Sequence, residues 1–201
     1  MGITETINRT LPDLEYPKHE IREKENQLKT FALGETPQGY AMVQKAKEIA
    51  KETGAIMIHA FDDPQIIAAQ GVIGLEILDD LPDVDEIYLP IGGGGLAAGT
   101  LIAIKEKNPQ IKVIGVQSKS FPSMYDSVKQ GSITSSGGER TIADGISVKV
   151  PGQLTFTIIK ELIDEIVLVD DVEITKAMFL LMERMKFVVE PAGGSSLAYL
   201  I

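Results

Sequence analysis

Four consecutive glycines, Gly92-Gly93-Gly94-Gly95, separate a short apolar stretch, Ile87-Tyr88-Leu89, from a helix-forming stretch, Leu96 to Lys107. Few architectures tolerate such a run there. Glycine loses more backbone freedom on ordering than any other residue, so the run costs stability unless something offsets it. Without Cβ atoms, several backbone N–H groups can converge on one anion at a helix N-terminus, where the helix dipole also favours negative charge. A charge-assisted hydrogen bond is worth about 1.5–3 kcal/mol, so a few of them suffice. A phosphate group is the first reading of this stretch. The competing reading is a tight strand-to-helix turn with close packing and no ligand.

The rest of the chain supplies a context for such a loop. The pattern predicts a helix from Thr36 to Gly54, a strand over Ala55–His59 and a helix from Gln65 to Leu78. Gly71 and Gly74 in that second helix imply close packing against another element. A strand from Glu86 to Ile91 leads into the glycine loop and the helix to Lys107. A strand over Lys112–Gln117, a short helix over Phe121–Gln130 and an irregular Ser- and Gly-rich loop over Ser132–Asp144 follow. Then come a helix over Pro151–Asp164, a strand over Ile166–Val169, a helix over Val172–Lys186 and a last helix from Glu190. Strands alternating with helices of ten or more residues predict an α/β fold, a parallel sheet flanked by helices. Ligands in such sheets bind beyond the carboxyl ends of the strands. The glycine loop, His59 to Asp63, Gln117 to Ser120 and Asp170 all sit at such ends.

A chain of 201 residues suits one domain, or one and a fraction. Residues 1–30 are polar and poorly periodic and read as an exposed arm; residues 31–201 carry the ordered pattern. A formal charge of −10 disfavours a nucleic-acid partner. No apolar run is long enough to cross a bilayer, and the N-terminus lacks a signal-peptide pattern. The absence of cysteine excludes disulfides and thiolate–metal sites, and a cytoplasmic setting is expected.

Several residues are candidates for chemistry. Gly93-x-Gly95-x-x-Ala98 loosely fits a dinucleotide fingerprint, but the next strand ends in Gln117-Ser118 and not in the acidic residue that would hold a ribose. A Walker-type loop would need Lys-Ser or Lys-Thr after the glycines. His59 reads as a hydrogen-bonded structural residue or as a catalytic one. Asp62 and Asp63 precede a proline and a helix and read as helix caps sooner than as metal ligands. Asp144 and Gly145 follow the irregular loop and mark either a turn or a site. Glu190 stands at a helix start, where a carboxylate is favourable in any case. Met178, Met182 and Met185 are expected to pack in the core.

Six stretches, residues 66–78, 88–99, 112–118, 141–148, 165–174 and 188–198, occur in the order found in the threonine ammonia-lyases, which this chain resembles from about Phe31 to Ile201. These are pyridoxal-phosphate enzymes of the tryptophan-synthase-β-like fold, fold type II, with serine racemase a close relative. The resemblance implies most of a large domain whose two flanks are missing, the binding of pyridoxal 5′-phosphate, and a place in amino-acid metabolism such as isoleucine biosynthesis. It implies β-elimination of water from L-threonine or L-serine, giving a 2-oxo acid and ammonia, and a homo-oligomeric protein. Gly92, Gly93, Gly94, Gly95 and Leu96 would form the cup for the cofactor phosphate. Glu190 would lie near the pyridine ring, and Asp144 and Gly145 on the substrate side. His59 and Ala60 would lie by the cofactor's face, where the family usually has His-Pro.

Other departures are larger. The family's Schiff-base lysine lies in a Ser-x-Lys-x-Arg-Gly-Ala segment that this sequence does not contain. The Ser-Ala-Gly-Asn-His loop for the substrate carboxylate and the Ser-Gly-Gly-Asn segment for the pyridine nitrogen are also absent. The acidic pair that binds a divalent cation in serine racemase aligns with Gln117 and Ser123, so no metal site is expected. Lys45, Lys105 and Lys112 fall on helices or at strand starts, and Lys119 follows a strand end near the expected cleft. The chain alone is therefore expected to be inactive. The alternative is a non-catalytic phosphate- or cofactor-binding module.

Overall fold

The computed structural model describes residues 37–138 and 140–201. The expected polar arm over 1–30 lies outside the described residues. The chain divides into two units, Met1–His59 and Ala60–Ile201. In the first, helix α1 spans Pro37–Thr53. The Thr53 hydroxyl donates to Ile49 O, and Gly54 ends the helix with a φ of 71°. The strand expected over Ala55–His59 does not form: the segment is irregular, with Ile56 and Ile58 exposed. A strand needs a neighbour to complete its ladder, and no strand pairs with this segment among the described residues.

The second unit is built on three parallel strands in the order β1-β2-β3. Strand β1 is Glu86–Pro90, β2 is Lys112–Ser118 and β3 is Glu165–Val169. Glu86 pairs with Lys112, and Ile114 with Glu165, so the strands start nearly level and their carboxyl ends lie together. Helix α2 (Pro64–Asp80) precedes β1, and α3 (Gly95–Lys107) joins β1 to β2. Helices α4 (Ser123–Gln130) and α5 (Gln153–Leu162) join β2 to β3. Helices α6 (Asp171–Leu180) and α7 (Pro191–Leu200) follow β3.

The two faces of the sheet carry separate cores, as the strand period of two requires. Ile87, Leu89, Val113 and Ile166 pack with Leu101, Ile104 and Ile159 on one side. Ile114, Val116, Val167 and Val169 pack with Ile174, Ala177, Ala192 and Ala198 on the other. The close packing expected at Gly71 and Gly74 is present: α2 crosses α3 so tightly that a Cβ on Gly71 would lie 3.2 Å from Gly99 O, and one on Gly74 2.9 Å from Thr100 O.

The helix expected over Val172–Lys186 is shorter. It is α-helical to Leu180, widens into a π-turn over Leu181–Met185 and ends at Lys186 with a φ of 61°. The wider turn swings the following side chains off the core-facing stripe. The expected core packing therefore holds for Met178 and fails for Met182 and Met185. Met178 packs against the core, whereas Met182 and Met185 are 45% and 59% exposed.

Candidate functional site

Strand β1 delivers the chain into the glycine loop at the carboxyl end of the sheet. Ile91 N donates to Val116 O at 2.8 Å, and after this residue the ladder stops. Gly94 is the N-cap of α3, with a φ of 96° and a ψ of −1°. An L side chain there would be strained, and its Cβ would press on Met124, Thr155 and Ile159 at 2.8–2.9 Å. Gly93 and Gly95 are glycine for a different reason: a Cβ on either would run into Phe61.

The first turn of α3 has no side-chain cap. Ala98 N is the first to find a helical acceptor, Gly94 O at 2.8 Å. The N–H groups of Gly92, Gly93, Gly94, Gly95, Leu96 and Ala97 donate to nothing among the described residues. Gly93, Gly94, Gly95 and Ala97 are buried, while Gly92 and Leu96 are half-buried. Buried backbone donors are nearly always paired, so this run of free N–H groups is suited to an acceptor that carries negative charge. A phosphate group fits it: it offers several acceptor oxygens and a charge that the helix dipole favours.

The other candidates are assembled around the same loop. A Cβ on Gly92 would lie 3.1 Å from Ile146 Cα and 3.3 Å from Gly145 O. One on Gly145 would lie 3.1 Å from Ala192 Cβ and 3.5 Å from Glu190 Oε1. Gly92, Gly145 and Glu190 therefore follow one another along one side of the sheet's carboxyl end. Glu190 is the N-cap residue of α7 and its carboxylate is exposed, with no capping hydrogen bond. Asp144 opens a short 3-10 turn, Asp144–Ile146. Its carboxylate turns back to accept the Gly145 N–H at 3.0 Å, and its carbonyl accepts the Ser147 hydroxyl at 2.7 Å. The segment leading into it is anchored by Asp171, which accepts from the Thr141 hydroxyl and the Ile142 N–H. His59 and α1 belong to the first unit, and the glycine loop to the second.

Both aspartates are caps. Asp63 accepts from Gln65 N and Ile66 N at the start of its own helix, α2. Asp62 reaches across the fold instead: its carboxylate accepts from Gln153 N, Leu154 N and Thr155 N at 2.9–3.2 Å and so caps α5. Nothing in the local sequence announces this contact. Its one trace is that Pro151-Gly152, which leads into α5, offers no capping side chain of its own.

Lys119, the lysine expected nearest the cleft, forms ion pairs with Asp170 and Glu173, each at 3.1 Å. Hydrogen bonds to the Glu173 and then the Asp170 carboxylate hold its ammonium above the ordinary lysine value. A lysine that acts as a nucleophile needs the opposite shift, toward the neutral amine. Asp170, the N-cap of α6, is held below the usual carboxylate range by the Glu173 N–H and by Lys119. This cluster is a capping and pairing device at the end of β3.

Comparison with known proteins identifies the family. The family model described as pyridoxal-phosphate dependent enzyme matches residues 20–201. An L-threonine ammonia-lyase of Thermotoga maritima is 48% identical over 155 residues, which is 77% of this chain and 39% of that relative. Among solved structures, a threonine deaminase from T.th. superposes with a TM-score of 0.76 at 37% identity, covering 78% of this chain and 55% of that one. Maize serine racemase superposes with a TM-score of 0.75 at 35% identity, covering 81% and 50%. The chain thus spans well under two thirds of the proteins it resembles. The family match covers most of the chain, and the chain belongs to the family of pyridoxal-phosphate dependent enzymes.

Proposed function

We propose that this chain is the phosphate-anchoring part of a pyridoxal-phosphate-dependent L-threonine or L-serine ammonia-lyase, with residues 31–201 its partial catalytic domain and residues 1–30 an arm outside it. The observation that carries the reading is the run of free N–H groups from Gly92 to Ala97 at the buried N-terminus of α3. These groups would hold the cofactor phosphate without moving a proton. Glu190 would face the ring, and Asp144 and Gly145 would border the amino-acid substrate. When bound, the cofactor supplies an electron sink for charge developing at the substrate Cα. Loss of the β-hydroxyl as water, followed by hydrolysis of the released enamine, would then yield a 2-oxo acid and ammonia.

The reading includes a cytoplasmic, self-associating protein; no helix among the described residues is long and apolar enough to cross a membrane. It also includes inactivity of this polypeptide alone, because Lys119 is paired with two carboxylates and held protonated. Calorimetric titration tests the phosphate anchor. Pyridoxal phosphate should bind with a dissociation constant in the high-micromolar to millimolar range, roughly −4 to −5 kcal/mol. Inorganic phosphate should compete with it, and pyridoxal lacking the phosphate should bind far more weakly. Equal affinity for pyridoxal and pyridoxal phosphate would refute the anchor.

A further inference from the structure

We infer that Thr155 is a positioning residue for the phosphate cup: its buried hydroxyl fixes the peptide plane between Gly93 and Gly94. This rests on the phosphate reading of the loop and adds to it the residue that sets the loop's geometry. Thr155 Oγ1 lies 2.7 Å from Gly93 O and donates to it. The other acceptor within reach, Gly152 O, is farther at 3.3 Å. Gly152 N adds a long contact to the same Gly93 carbonyl, at 3.4 Å. Thr155 is fully buried. In a trans peptide the carbonyl and the following N–H point in opposite directions. Turning the Gly93 carbonyl toward α5 therefore turns the Gly94 N–H away from α5. Gly94 needs such a constraint, because a glycine at φ 96° has no side chain to choose its conformation.

The constraint is itself held in place. Asp62 caps α5 through the N–H groups of Gln153, Leu154 and Thr155, and a Cβ at Gly152 would collide with that carboxylate. Phe61, the residue before, is the one against which Gly93 and Gly95 pack. One short stretch thus braces the loop from two sides: Phe61 directly, and Asp62 through Thr155.

The test is phosphate affinity in the full chain, read with inorganic phosphate and with pyridoxal phosphate. Thr155→Val keeps shape and volume and removes the donor. It should weaken both ligands by about three- to tenfold, the range of one lost hydrogen bond. Thr155→Ser, which keeps the hydroxyl and loses the methyl, should bind within about twofold of the parent. If Thr155→Val does not fold, Thr155→Ala carries the same expectation. Parent-like affinity in a folded Thr155→Val or Thr155→Ala variant would overturn the inference and leave the cup intact. Weakening by Ser equal to that by Val would assign the role to packing and also overturn it. Absence of phosphate binding by the parent protein would instead sink the underlying reading.

Discussion

Gly94 shows how tightly a single position is determined. Its φ of 96° and the ring of Met124, Thr155 and Ile159 around its missing Cβ act independently. Gly94→Ala should therefore destabilise the chain by about 2–4 kcal/mol, from left-handed strain and overpacking together. The urea midpoint measures this, and a loss under about 1 kcal/mol would mean that the loop relaxes freely. Lys119 makes the opposite case, a residue whose position suggested chemistry and whose partners remove it. The purified chain incubated with pyridoxal phosphate and threonine should give 2-oxobutanoate no faster than the free cofactor. Lys119→Ala should leave that background unchanged. Product that vanishes with Lys119→Ala would show that the ion pairs with Asp170 and Glu173 open in solution.

Among the elements, α5 depends most on a distant residue. Its cap, Asp62, lies far upstream in the chain, whereas Asp63 caps the helix that follows it. Ser, Thr or Asp caps contribute about 0.5–2 kcal/mol. Asp62→Ala should fall at or above the upper end of that range, since it leaves three N–H groups unpaired, and Asp63→Ala should fall near its middle. Chemical denaturation of the two variants decides the order. This contrast marks what the sequence could reveal. Asp63-Pro64 is a local signal and was legible; the Asp62 contact exists only once the segment before α2 meets the start of α5. The exposed turn at Met182 and Met185 was hidden for a related reason, because a π-turn leaves no mark on hydrophobic spacing. The run Ala55–His59 had the composition of a strand, and composition cannot supply the partner strand that a ladder requires.

A second contact joins elements across the sheet. Asp164, just before β3, accepts from Lys105 Nζ at 2.6 Å and from Val113 N at 2.7 Å. Burial pushes its carboxyl up, but the Lys105 ammonium and the Val113 N–H outweigh burial and hold it below its ordinary value of 3.8. A carboxyl depressed in the folded state contributes stability in full above its unfolded value and loses it as pH falls through its folded value. The parent should thus exceed Asp164→Asn in urea midpoint at neutral pH, and the gap should narrow below pH 3.8. A gap that does not depend on pH would assign the effect to packing.

At the scale of the whole molecule, the parallel sheet and the glycine loop followed from periodicity and from one costly run of residues, whereas the strand order did not. The placing of Gly92, Gly145 and Glu190 along one edge did not, because it depends on how two crossovers return to the sheet. An apolar surface also remains open. Val172, Phe179, Met182, Met185, Phe187 and Val188 are all exposed, Val188 to 91%. Large exposed apolar patches promote association, so sedimentation at micromolar concentration should show dimers or larger species. A clean monomer would contradict this.

The phosphate cup can be watched directly by NMR. Protein carrying isotope-labelled glycine is titrated with inorganic phosphate, and the amide resonances are followed. Saturable shifts confined to Gly92, Gly93, Gly94 and Gly95, with the largest movements downfield, are predicted from their free N–H groups. Unmoved resonances for these four glycines at saturating phosphate, or equal shifts at remote Gly131 and Gly137, would contradict the assignment of this loop as the anchor.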